Sequence, residues 1–228
     1  YNSVYSLDSN AKIYYHNQDI ENFKETKEFD HRIRISQETK SSDKTDNWLK
    51  FLEADFHDVD GIYGEINKLI IFMDRVVCYQ DNAICIQPVN ERSLTRDQQG
   101  ISLVLGTGDL LGRHAYITTT TGTKHQSSVV LGQGLYHYDG NLQEYYLYTG
   151  DSMLPLGEKK FMHSWFNQNW IGKIKTTDDT LSQTLPYGVT SFYDNKRNRV
   201  LFTFFNGSDT ETIAFNEALQ VFESFHDF

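Results

Sequence analysis

The stretch GVTSFYDNKRNRVLFTFF, residues 188–205, sets two apolar runs on either side of a polar turn at Asp194. Aromatic and β-branched side chains fill both runs, which is the composition of paired strands. The turn residues Asp194, Asn195 and Asn198 tolerate left-handed backbone, and Asp and Asn also hydrogen-bond their own main chain. Downstream, residues 206–209 (NGSD) form another turn, and residues 212–215 and 219–225 give two further short strands. With residues 189–193 and 200–205 this predicts a four-stranded antiparallel meander. Val200, Phe202, Phe204 and Ile213 are expected to share its interior. The run 201–205 is apolar on both faces, so its second face is expected to pack on another sheet or chain.

The same pattern recurs toward the N-terminus. VYSLDSNAKIYY surrounds Asp8, KLIIFMDRVVCYQ surrounds Asp74 and GLYHYDGNLQEYYLY surrounds Asp139. Around Asp74 the expected strands are residues 69–72, 75–80, 83–87 and 101–105. A recurring meander is the trace of propeller-like blades. The fold class read from it is all-β, with repeated four-stranded antiparallel meanders and one inserted helix at about 156–168. A β-sandwich gives a similar spacing and is the second choice. The blade-like segments run over about 1–62, 63–125, 126–187 and 188–228. The helix follows from Phe161, Met162, Trp165 and Phe166, which fall on one helical face. Residues 38–47 read as a polar loop.

Composition supports strands and narrows function. Aromatics make up 14% of 228 residues, and the net charge is −10. An acidic chain without a Lys/Arg cluster is not expected to bind nucleic acid directly. No apolar run is long enough to span a membrane as a helix. The chain begins at Tyr1 and ends in an apolar segment at Phe228. It therefore reads as a piece of a longer gene product or as a trimmed expression product. Cys78 and Cys85 fall opposite each other if Asp81 and Asn82 form a two-residue turn. That pair lies within disulfide reach, and free, partly buried thiols are favoured over a bridge.

Candidate chemistry is mostly refused. Ser41, Asp43, Thr45, Asn47 and Trp48 resemble the Asp-box of sialidase-type propellers, with Thr45 in the glycine place and Asn47 in the threonine place. That box is structural in its family. Asp58, Asp60 and Gly61 fail as a calcium loop, because Phe56 and Asn67 would stand at the first and last ligand positions. Gly106/Gly108 and Gly132/Gly134 lack the third glycine and the following helix of a dinucleotide site. The run 118–124 lacks the upstream glycine of a phosphate loop. The eight histidines show no metal-ligand spacing, and no carboxylate pair stands out for glycoside hydrolysis. Asn206 to Ser208 fits a glycosylation acceptor, but a turn explains it. Catalytic, cofactor-binding and metal-ligating residues are accordingly read as none, and no cofactor is expected.

Several phrases carry a family resemblance: FDHRIRISQ (29–37), DNWLKF (46–51), HDVDGIYGEI (57–66), CIQPVNERSL (85–94), LVLGTGDLL (103–111) and YITTTTGTKHQ (116–126). With GVTSFYDNKRNRVLFTFF and TIAFNEALQVFESFHDF (212–228), they resemble the large muzzle or tail-stabilisation proteins of crAss-like and related short-tailed phages. The likeness runs from about Phe29 to Phe228, and the first 28 residues match only by hairpin pattern. It implies a structural, non-enzymatic component at the distal end of a virion tail, made in the bacterial cytoplasm. The implied partners are other segments of the same gene product, other copies in a ring and neighbouring tail proteins. The alternative is a receptor- or glycan-binding tail-tip propeller, using Tyr136, Tyr138, Tyr145 and Trp170 as stacking platforms. A glycan depolymerase comes third.

Overall fold

Three antiparallel meanders of four strands follow one another along the chain. A computed structural model describes residues 29–37, 47–53, 55–89, 93–96, 102–105, 111–169, 187–206 and 209–226. Strands dominate these residues, and the architecture is all-β and propeller-like. A two-stranded unit comes first, β1 (Arg32–Arg34) with β2 (Phe56–Asp58). Sheet I is β3 (Ile66–Phe72), β4 (Arg75–Gln80), β5 (Ile84–Gln87) and β8 (Ala115–Thr118). The strands β6 (Ser93–Arg96) and β7 (Ser102–Leu105) form a separate hairpin between β5 and β8. Sheet II is β9 (Val130–Leu131), β10 (Leu135–Asp139), β11 (Glu144–Tyr148) and β12 (Met153–Pro155). Sheet III is β13 (Tyr187–Asp194), β14 (Arg199–Asn206), β15 (Thr210–Asn216) and β16 (Val221–His226).

The fourth strand of sheet I corrects the sequence reading. Residues 102–105 pair with residues 93–96, and the edge of the sheet is taken by residues 115–118. Neither segment, SLVL or AYIT, carries a pattern that chooses its pairing partner. In sheet III, Leu219 lies in the turn before β16 instead of in the strand. The helix also divides, into α1 (Leu156–Lys159) and α2 (His163–Asn169). Phe161 sits between them at φ 62°, where a continuous helix cannot pass. The hairpin around Asp8 and the Asp-box residues 41–46 lie outside the described residues. Asn47 and Trp48 fall in a short 3-10 turn (Asn47–Leu49).

The repeated aspartates make two kinds of turn. Phe72 pairs with Arg75, leaving Met73 and Asp74 at φ 49° and 59°. That mirror-image two-residue turn matches the twist of its strands. Asp139 instead accepts the amides of Asn141 and Leu142 at 2.8 and 3.0 Å, and Gln143 takes positive φ. Asp194 accepts the amide of Lys196 at 3.1 Å, with Asn198 at positive φ. Asn216 accepts Ala218 and Leu219 at 3.0 Å each, with Gln220 at positive φ. In each case the side chain replaces a main-chain acceptor and the last turn residue absorbs the reversal.

Stacking places the core between sheets. Sheet II is buried on both faces, so β10 and β11 read as nearly continuous aromatic runs. Tyr136, Tyr138, Tyr145 and Leu147 join Val189, Val200, Phe202, Phe204, Ile213 and Phe215 of sheet III in one core. Val200, Phe202, Phe204 and Ile213 therefore share the interior expected of them. Leu135 and Tyr148 turn the other way, onto Phe72, Val77, Tyr79 and Ile84 of sheet I. The opposite face of sheet I packs through Cys78 and Cys85 on Ile33 and Val59 of the two-stranded unit.

Candidate functional site: the seams between the sheets

The seam between sheets II and III is aromatic. Tyr145 stacks on Phe202 with ring centroids 3.9 Å apart, and Phe204 meets Tyr138 and Tyr145 edge-on. From α2, Phe166 lies over Phe204 and Phe222, and Trp165 covers Phe225. One buried carboxylate ties this seam, and a second fixes the helix to sheet II. Glu217, in the turn after β15, accepts the Gln133 amide and the Tyr136 hydroxyl, both at 2.8 Å. Burial, reinforced by that carboxylate, raises the Tyr136 hydroxyl well above its ordinary range. Glu144 accepts the amides of Gly157 and Tyr145 at 2.7 and 2.9 Å, anchoring α1 to β11. Burial raises its pKa, against the hydrogen bonds it receives.

The seam between sheets I and II is mixed. Tyr79 meets His137 edge-on at 5.2 Å, and Tyr146 stacks on the other side of the same imidazole. His137 Nε2 lies 3.3 Å from the Thr121 hydroxyl. Burial lowers the His137 pKa to about 3, so the ring is neutral. Asp139 accepts the Gly122 amide, and Asn141 donates to Asn82 across the two hairpin tips. Gly122 is the residue that fits there: a Cβ would collide with the Gln80 carbonyl and the amides of Asn82 and Ala83. At the other end of this seam a cleft of about 260 Å³ remains open. Its walls are Phe72, Val77, Ile86 and Tyr148, and Met73, Arg75, Thr149, Gly150 and Asp151 complete its lining.

The residues weighed in the sequence now have positions. Tyr136, Tyr138 and Tyr145 are core and cannot serve as exposed stacking platforms, and Trp170 lies outside the described residues. Asp58 is paired with the Arg32 guanidinium at 2.6 and 2.7 Å, and Arg32 stands over the Phe29 and Phe56 rings. Asp60 caps a short 3-10 turn by accepting the Ile62 amide. The calcium candidates are thus engaged with protein donors. Cys78 and Cys85 stand opposite each other as free, buried thiols. The hydrogen bond to Cys85, with burial, raises the Cys78 thiol. Gly132 and Gly134 form the tight turn between β9 and β10, bonded amide to carbonyl at 2.9 Å. Among the described residues no group of three or more His, Cys, Asp or Glu is placed to hold a metal. None of their helices is long and apolar enough to cross a membrane.

Sequence reasoning missed Glu144, Glu217 and His137. Nothing local marks the two glutamates: one adjoins a hairpin turn and the other lies in one, where a solvated carboxylate is ordinary. For His137 a signal existed, since it interrupts an aromatic run that is apolar on both faces.

Stacked sheets joined by aromatic cores and inter-sheet hydrogen bonds define an all-β, propeller-like protein. The chain belongs to the Crassvirus muzzle protein family, whose model matches residues 1–228. It is similar to the muzzle protein of Bacteroides phage crAss001, with 25% identity over 229 residues. That alignment covers 99% of this chain and 16% of the relative's length.

Proposed function

We propose that the chain is a structural, non-enzymatic component of a phage virion tail, at its distal end. Its sheets act there as consecutive blades, over about 1–62, 63–125, 126–187 and 188–228, of a propeller shared with other parts of the gene product. One observation carries this reading. Both faces of sheet II are covered by neighbouring sheets, whereas sheet III turns an apolar row outward. On that face Phe192 is 64% exposed, and Leu201 and Phe205 are half-buried. A row of that kind is suited to another sheet. Other segments of the same product, other copies and neighbouring tail proteins are the partners it fits. Immunogold labelling of intact virions with antibody against this chain tests the location. Label at the tail tip is expected, and label over the capsid or absent from virions overturns the reading.

A further inference from the structure

A pair of histidines bridges the two-stranded unit and sheet I. His57 of β2 and His114, one residue before β8, bring Nε2 and Nδ1 to 2.7 Å. Both rings are half-buried, and His114 rests edge-on against Tyr116. Other contacts close the same joint. The Tyr116 hydroxyl accepts the Asp60 amide and donates to Gln80 Oε1, both at 3.1 Å. The Gln80 side-chain amide donates to the carbonyls of Asp60 and Gly64 at 3.0 and 2.9 Å. Beneath them Ile33 and Val59 pack on Cys78 and Cys85.

A hydrogen bond between two ring nitrogens needs one N–H and one lone pair. The neutral pair meets that need, and so does the pair carrying one added proton, whose bond becomes charge-assisted. A second proton sets two N–H donors and two like charges face to face across 2.7 Å. The pair therefore titrates as a unit, and the closed joint resists its second proton. The charges around it do not remove that resistance. Arg113 adjoins His114, and His31 and Arg32 come from the β1 side. Asp58 is already held by Arg32 at 2.6 and 2.7 Å. Asp60 faces His114, but its pull is outweighed: burial, then His57 and Arg113, lower the His114 pKa. Tyr63 and Cys85 stand around Tyr116, whose hydroxyl burial pushes up to about 12, so it stays neutral in acid.

We propose that the His57–His114 pair is an acid-sensitive latch, which frees the two-stranded unit from sheet I when both rings are protonated. The open joint takes up both protons near the ordinary histidine value of 6.5, whereas the closed joint refuses the second. The latch contribution is thus complete above pH 6.5 and is lost as pH falls below it. The opening equilibrium shifts by at most about tenfold per pH unit. Release is local, because sheets I, II and III are joined to one another through separate cores.

Hydrogen exchange of the 228-residue chain between about pH 7.5 and 5, corrected for the intrinsic rate at each pH, reads the joint. Residues 56–66 include the Asp60 amide on Tyr116 and the Ile66 amide on the Asp30 carbonyl. Their protection is expected to fall by up to about tenfold per pH unit below 6.5. His57→Gln supplies a side-chain amide that donates or accepts as His114 requires. His114→Phe keeps a ring against Tyr116 but carries no nitrogen. Neither variant can set two cations face to face, so both are expected to lose that slope. His137 titrates in another seam and is common to all three chains, so a difference between them belongs to the pair. Protection of residues 56–66 that holds in the wild-type chain through pH 5 overturns the proposal. An equal slope in wild type and both variants overturns it too.

Discussion

Sheet II is held on its two faces by different chemistry. Toward sheet III it presents Tyr136, Tyr138, Tyr145 and Leu147 to an aromatic core. Toward sheet I it presents Leu135, His137, Tyr146 and Tyr148, and the adjacent loop adds buried Thr121, Thr123 and Ser128. An aromatic seam supplies adhesion, because burial of apolar area is strong and non-directional. A seam with buried donors and acceptors supplies register, because a displaced partner leaves polar groups unpaired at full desolvation cost. One repeat topology thus supports two kinds of joint, and the repeat alone does not announce which kind a seam will be.

The largest expected effect falls on the aromatic seam. Phe202 is fully buried and stacks on Tyr145. Phe202→Ala should lower stability by about 3–5 kcal/mol, the usual cost of emptying a buried phenylalanine site. Denaturant unfolding of the chain measures it. An unchanged midpoint would mean that this core does not hold sheets II and III together.

Much of this was legible in the residues, though unevenly. Alternation in VLFTFF placed Val200, Phe202 and Phe204 on one face, because a strand has no other way to dispose them. The Asp81–Asn82 turn fixed the register of Cys78 opposite Cys85, since a two-residue loop leaves no freedom. Longer connections left that freedom, and the 27 residues between β5 and β8 hid the true edge strand. The helix was legible by its apolar face, but its break was not, because phenylalanine gives no warning of left-handed backbone. Least legible was the seam chemistry. Whether Glu217 is solvated or clamped depends on which turn of sheet II stands opposite, a fact of stacking that no local pattern encodes.

The mixed seam should respond to acid in a way the aromatic seam does not. His137 is buried, and its pKa is lowered from 6.5 to about 3. The folded state therefore disfavours the protonated ring, which the unfolded chain accepts freely below pH 6.5. Its contribution to stability is complete above pH 6.5 and is lost as pH falls toward 3, by about 1.4 kcal/mol per pH unit at most. His137→Phe keeps a ring between Tyr79 and Tyr146 but does not titrate. The stability difference between wild type and variant should narrow with that slope as pH is lowered, measured by denaturant unfolding at several pH values. Parallel profiles would show that the ring is hydrated or protonated in the fold.

The smallest effect expected falls on the Glu217 clamp between sheets II and III. Glu217→Ala would open a space between sheets II and III where the carboxylate now reaches Tyr136. The cost differs from that of a simple cavity. The Tyr136 hydroxyl and the Gln133 amide each lose a 2.8 Å acceptor, and the Tyr136 side chain is fully buried. A loss of about 1–3 kcal/mol follows for the buried Tyr136 donor left without its partner. Glu217→Gln keeps an acceptor oxygen at nearly the same place and should recover most of that loss. Adding Tyr136→Phe to Glu217→Ala removes one orphaned donor and should also recover part of it, because the coupled pair is then absent from both sides. Equal destabilisation by Glu217→Ala and Glu217→Gln would show that the carboxylate's charge matters and its acceptor role does not. The clamp would then be an electrostatic device and not a hydrogen-bonding one.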